Sequence, residues 1–149
     1  MAKLIGIAIK QKKRAPMQTL ESAFISIEKG VENDYRGKPS KRQVTIMSQK
    51  AWQDANVTLN MQLPWTTRRA NLLVDVLDLE NTAGKLIKVG DVVLLITQET
   101  DPCERMEEAA KGLHDALKPH WRGGVCCRVI GEGQVKLGDE VIHTDEVSK

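Results

Sequence analysis

Lys88-Val89-Gly90-Asp91-Val92-Val93-Leu94-Leu95-Ile96-Thr97 is the stretch that decides the fold class. A Gly-Asp pair turns the chain at little steric cost and delivers it into a run of β-branched and apolar residues. A related fragment returns as Lys136-Leu137-Gly138-Asp139-Glu140-Val141, most simply a second ordinary turn. Working outward, β-prone runs recur at Leu4 to Ile9, Phe24 to Ile27, Gln43 to Met47, Leu72 to Val76, Val125 to Ile130 and Val141 to Thr144. Gly, Asn and Asp divide them. Many short strands with turn residues between them are the signature of a sandwich or barrel, so the class is mainly β.

Two helices interrupt the strands. The first is predicted from about Ser48 to Asn56, with Ser48 as N-cap and Trp52 facing inward. The second has stronger start signals: Asp101 as cap, Pro102 in the first helical position and Glu104 as capping-box partner. Met106, Ala110, Leu113 and Leu117 then fall on one stripe, and Lys118-Pro119 ends the helix.

The bulk numbers suit one soluble domain over residues 1–149. The apolar fraction is 41% and the charged fraction 28%, ordinary for a globular chain and too apolar for a disordered one. A formal charge of +2 provides no reason to expect a nucleic-acid or anionic-membrane partner. No apolar run approaches the ~20 residues that cross a bilayer, and the N-terminal run reads as a strand rather than a signal peptide. Three cysteines, two of them adjacent, argue against a disulfide framework. Together these place the protein in the cytoplasm.

Several residues could carry chemistry. Cys103 falls at the second position of the helix predicted to start after Asp101, where free N–H groups and the macrodipole favour a thiolate. Glu104, Glu107 and Glu108 oppose that, so the position is permissive, and a buried inert cysteine is the alternative. Cys103, His114, His120 and Cys126 have only a superficial zinc-like spacing, with no Cys-x-x-Cys anchor. Cys126 and Cys127 lie in a strand, so one is expected in the core and the other outward. Arg68, Arg69 and Asn71 at a loop-to-strand junction suit phosphate or carboxylate binding, set against the reading of surface arginines beside a turn asparagine. Asp34-Tyr35-Arg36-Gly37 and Arg122-Gly123-Gly124 are similar candidates. Lys10, Lys12, Lys13 and Arg14 form a basic cluster assigned to a solvated turn. Dinucleotide, Walker, zinc-protease and nucleophile-elbow motifs are all missing.

Taken in order, these pieces resemble the MOSC domain, the C-terminal domain of molybdenum cofactor sulfurases, in a small stand-alone form. Gly30 to Gly37 followed by Arg42-Gln43-Val44-Thr45 is similar to its early loop and strand, and Arg68-Arg69-Ala70-Asn71-Leu72 to its central Arg-Asn segment. Gly84 through Asp91, Pro102-Cys103, Gly123-Gly124-Val125 and Gly138-Asp139 match its later pieces. The resemblance spans roughly Gly6 to His143. It implies a MOSC-type β-barrel with a few short helices and an association with the molybdenum cofactor (molybdopterin). The activity implied is reduction of N-hydroxylated small molecules or sulfur transfer, with Cys103 as the catalytic residue and metal ligand. Arg36, Arg69 and Asn71 would hold the cofactor's phosphate or pterin edge. Without a ferredoxin-like cysteine set or a sulfurase domain in this chain, electrons or sulfur are expected from a separate protein. Pyridoxal phosphate is not expected, since no lysine has a Schiff-base context. A non-catalytic cofactor- or partner-binding barrel is the alternative function.

Overall fold

Side-chain alternation along the strands sets the architecture, because successive residues face opposite sides of a sheet and only a closed sheet can bury one whole side. The computed structural model describes residues 2–13, 15–100 and 104–144. Among them the strands are β1 (Ala2–Ile9), β2 (Gln18–Leu20), β3 (Ser22–Ser26), β4 (Gly30–Val31), β5 (Val44–Ser48) and β6 (Leu72–Val74). The later strands are β7 (Leu86–Val89), β8 (Val92–Glu99), β9 (Val125–Gly131), β10 (Gly133–Lys136) and β11 (Glu140–Thr144). The helices are α1 (Gln49–Leu59), α2 (Glu104–Ala109) and α3 (Leu113–Ala116).

Seven strands close into a barrel in the order β1, β6, β5, β9, β8, β7, β11 and back to β1, where Ala2 pairs with Val141. Among the described strands only β5 and β6 run parallel, and α1 lies in the crossover that this geometry requires. Bulges between Leu4 and Gly6 and at two points along β8 bend the strands and help the sheet close. Strands β10, β3 and β4 form a small second sheet. The barrel interior holds Leu4, Ile7, Ile46, Leu72, Leu94, Ile96, Cys127 and Val129, all no more than 1% exposed.

A second apolar cluster lies outside the barrel. Met47 and Leu73, the outward residues between core positions of β5 and β6, pack against Trp52 and Ala55 of α1 and against Met106, Leu113 and Leu117. This layer corrects the expectation for the two adjacent cysteines. Cys127 faces the barrel core and Cys126 the other side, yet both are fully buried. Burial, and then the neighbouring Cys126, push the Cys127 thiol up, so it is an inert packing group.

All seven β-prone runs form strands, whereas β2, β4, β7 and β10 have no counterpart among them. Ser48 caps α1 as expected, accepting from Ala51 N at 3.3 Å, and the helix runs on to Leu59 before Asn60 turns it off in the left-handed region. The second predicted helix differs. Its apolar stripe is buried, but the helix stops at Ala109 and restarts at Leu113 because Gly112, at φ +88°, leaves the helical region. Its start signals, Asp101 and Pro102, lie outside the described residues.

Candidate functional site

Five barrel strands end around one small cavity. Lys10 follows the end of β1, Thr45 sits in β5, Asn71 precedes β6, Thr100 follows β8 and Gly123 precedes β9. The loop 34–36 and the 68–70 segment complete the wall, with Arg42 and Met17. The cavity is about 70 Å³.

Buried polar side chains build this end of the barrel. Gln43, 1% exposed, donates from Nε2 to Ile27 O (2.8 Å) and Gly37 O (2.9 Å) and accepts from Val129 N (2.9 Å), tying the 27–37 loop to β9. Asn71 accepts at Oδ1 from Thr45 N (3.1 Å) and from Thr45 Oγ1 (3.3 Å), and donates from Nδ2 to Ala8 O (3.1 Å). It thereby cross-links β1, β5 and β6 at the cavity rim. Arg68, 6% exposed, donates to Gly123 O (3.2 Å) and Thr100 O (2.8 Å). Gly123 is needed beside it, since a Cβ there would lie 2.7 Å from Thr100 O and 2.9 Å from the guanidinium.

The remaining wall is cationic. Lys10 is 6% exposed, and its ammonium has no hydrogen-bond or ion-pair partner among the described residues. Burial first, then the charges of Arg69, Arg105 and Arg36, hold its pKa below the ordinary lysine value against the opposing charge of Asp34. Arg36 donates from Nε to Tyr35 OH (2.6 Å) and lies 5.3 Å from that ring's centroid, which fixes its direction without neutralising it. Arg69 enters from a left-handed backbone position, φ +63°. Asp34 is the lone carboxylate among the described wall residues. Burial raises its pKa against the opposing hydrogen bonds from Lys10 N–H, Asn71 and Arg36 N–H.

The geometry therefore brings together Arg36, Arg69 and Asn71, which the sequence selected from separate segments. It divides their roles, for Asn71 holds backbone while the two arginines border the cavity. Cys103 lies outside the described residues; Thr100, three positions before it, lines the cavity. Lys10 is a correction, because it is a buried wall residue where a solvated turn was expected, while Lys12 and Lys13 are exposed. Its signal was its place directly after the last apolar residue of β1. Arg122 turns away, donating to Ala116 O (3.0 Å) and Thr58 Oγ1 (3.3 Å). His114 lies 3.4 Å from Asp115 and His120 3.4 Å from Glu80, two separate places.

A cavity of this size walled by N–H and O–H donors takes a phosphate- or carboxylate-sized anion. No helix among the described residues is long and apolar enough to cross a membrane.

Comparison with known proteins adds the family. The YuaD protein from Bacillus subtilis superposes with a TM-score of 0.78 at 21% identity, covering 98% of each chain. YiiM from Geobacillus stearothermophilus gives 0.77 at 12% identity over 97% of this chain and 75% of its own. YiiM from Escherichia coli gives 0.73 at 16% identity over 99% and 72%. At such identities the likeness is one of fold. No curated protein sequence matches the chain. The MOSC domain family, however, matches residues 32–142, most of the chain and nearly all of the cavity wall, and the protein belongs to that family.

Proposed function

We propose that the cationic cavity seats the phosphate of a molybdenum cofactor, that Cys103 ligates the metal, and that the protein reduces N-hydroxylated compounds or transfers sulfur. The observation that carries this is the Lys10 ammonium, buried and without a partner among the described residues, in a wall it shares with Arg36, Arg42 and Arg69. A buried cation on which three arginines act against a single carboxylate, Asp34, is costly, and an anionic ligand lowers the cost.

The residues fit the phosphate end of such a group. Ammonium and guanidinium are hard donors matched to phosphate oxygens. About 70 Å³ accommodates the phosphate but not a pterin, which would lie outside the seat. When bound, the metal would supply two-electron and sulfur chemistry that no side chain here possesses. The chain's own part is to hold the anion, through Lys10, Arg36 and Arg69, and to keep that wall in place, through Arg68, Asn71 and Gln43. A thiolate at Cys103 suits a soft metal. Electrons or sulfur would come from a separate protein. The small size of the seat favours one other reading, a non-catalytic module that binds the cofactor or a partner by its anionic group.

The test is metal analysis with pterin fluorescence on protein expressed in a host that makes the cofactor and purified without oxygen. Molybdenum and pterin in the wild type, with molybdenum lost in Cys103→Ser, are expected. Melting curves separate loss of ligand from loss of fold. Wild-type protein without either component would overturn the proposal, and cofactor retained without turnover would select the non-catalytic module.

A further inference from the structure

The net charge of +2 hides an uneven distribution. Residues 10–14 and 36–42 hold eight of the 22 basic side chains and none of the 20 acidic ones, which leaves fourteen basic against twenty acidic in the rest of the chain. Folding brings Lys10 and the 34–42 loop together at one end of the barrel. Tyr35 N donates to Lys10 O (2.9 Å), Lys10, Arg36 and Arg42 share the wall of the anion seat, and Gln11 and Lys38 line a neighbouring hollow. Beyond the seat, Lys12, Lys13, Lys38 and Lys41 are exposed, and none of the four makes an ion pair with a described carboxylate. Among the described residues lining the seat and that hollow the carboxylates are Asp34 and Glu28, and Glu28 has Lys29 beside it.

The loop that carries half of these charges is tied down. Gly37 O accepts from Gln43 Nε2 (2.9 Å), Lys41 O accepts from Thr97 Oγ1, and Arg42 N donates to Ser40 Oγ (3.1 Å). Pro39 fixes a backbone dihedral between them. A Cβ at Gly37 would lie 1.6 Å from Lys29 O, so the loop is packed down on the 27–29 turn. Like charges held this way repel one another, and a surface already ordered loses little freedom when an anionic one meets it.

We propose that Lys12, Lys13, Lys38 and Lys41 form a collar that docks the acidic face of a second protein over the mouth of the seat. That this partner is the donor of electrons or sulfur rests on the cofactor reading above; that it is acidic rests on the collar alone. Two observations favour a protein over other polyanions. Duplex nucleic acid or an anionic membrane extends past the collar and meets a remainder of the chain with more acidic than basic residues, which repels it, whereas a local acidic patch ends where the collar ends. Neither segment offers an apolar side chain for insertion into lipid or stacking on bases: none of the described exposed large hydrophobic residues falls within 10–13 or 36–42.

The experiment is NMR titration of the whole chain with an octaglutamate peptide, a short DNA duplex, phosphatidylserine vesicles and inorganic phosphate. Salt is held at about 0.1 M, where a Debye length of about 10 Å confines the attraction to nearby charges. The peptide should bind, and more weakly as salt rises. Lys38→Glu with Lys41→Glu should weaken it by about tenfold or more, and so should Lys12→Glu with Lys13→Glu. Lys3→Glu with Lys136→Glu, the same change of net charge at the other end of β1, should leave it within about twofold. Phosphate should stay within about twofold in all three variants, since none of these lysines lines the seat. No peptide binding overturns the proposal, as does equal weakening in the Lys3 and Lys136 variant, which would reduce the effect to net charge. Duplex or vesicle binding as tight as the peptide's overturns the choice of a protein partner. A variant that melts early is replaced by its glutamine counterpart, which removes the charge without reversing it. The titrations need no cofactor. Absence of molybdenum therefore defeats the cofactor reading alone, and loss of peptide binding in molybdenum-loaded protein defeats the collar alone.

Discussion

One short turn borders two regions of opposite chemistry. Trp65, which opens the 3-10 turn Trp65–Arg68, lines a wide groove with Trp52, Met61, Leu63 and five amide side chains, and no ionisable group is among its described lining residues. Arg68 and the following Arg69 line the cationic seat. In the groove, Asn56 donates to Trp52 O (2.8 Å) and accepts from Leu63 N (2.7 Å), while the Trp52 indole donates to Leu63 O (3.0 Å). Those polar groups are closed on the protein itself. In the seat, Lys10 is left open although it is more buried than most of the groove's rim. The contrast teaches that exposure of apolar surface and readiness for a ligand are separate properties: a site is marked by an unanswered charge held in place by answered ones.

The largest expected effect tests the holding part of that statement. Arg68→Ala removes two buried charge-assisted bonds and orphans Gly123 O and Thr100 O, which should cost about 2–4 kcal/mol and lower the melting temperature by about 5–15 °C. Arg68→Lys should recover only part, because one ammonium cannot reproduce the two-point fork. A melting curve like the wild type's would show that the frame does not depend on this residue.

Removing the unanswered charge should act on binding instead. Lys10→Met should weaken phosphate by about tenfold in calorimetry. Its melting temperature should hold or rise, since a buried cation crowded by Arg69 and Arg105 is replaced by an apolar side chain of similar length. A stability loss on the scale of Arg68→Ala would place Lys10 with the frame and erase the distinction between the two kinds of residue.

The smallest effect concerns Asp34. Burial raises its folded pKa above the ordinary 3.8, so the folded state holds this proton more tightly than the unfolded chain. The sign is then fixed: its contribution to stability is fully present below pH 3.8 and is lost as pH rises through the raised value. At neutral pH the wild type carries that loss. Asp34→Asn should flatten the stability profile over this window, measured by urea unfolding across pH, and should tighten phosphate modestly by removing the one carboxylate of the seat. A profile as steep as the wild type's would show that another group titrates there.

Much of the barrel was legible in the chain because its runs of apolar and β-branched residues alternate with turn residues, and alternation is a local property. Strands β2, β4, β7 and β10 are less so. Gly30–Val31 is two residues long and Gln18–Leu20 three, lengths at which periodicity has no meaning, and both exist through pairing with β3 and β1. The helix predicted as one piece after Asp101 was read correctly for its buried stripe, since Met106, Ala110, Leu113 and Leu117 are all buried, but Gly112 could break it only where the packed α1 and α3 layer made the break tolerable. Residue type alone marked Arg36, Arg69 and Asn71 as able to hold an anion.

The chain by itself determined which side chains can carry charge, where strands begin and which residues can cap or turn. Tertiary structure alone decided which of those charges meet. Lys10, Arg36 and Arg69 are far apart along the chain, and the pairing of β6 with both β1 and β5 brings them to one cavity. The same closure decides that Asn71 holds backbone while Lys10 remains open, because whether a polar group is answered depends on which neighbours the sheet delivers to it, and hydrogen bonds and charges act only over the few ångströms that folding sets.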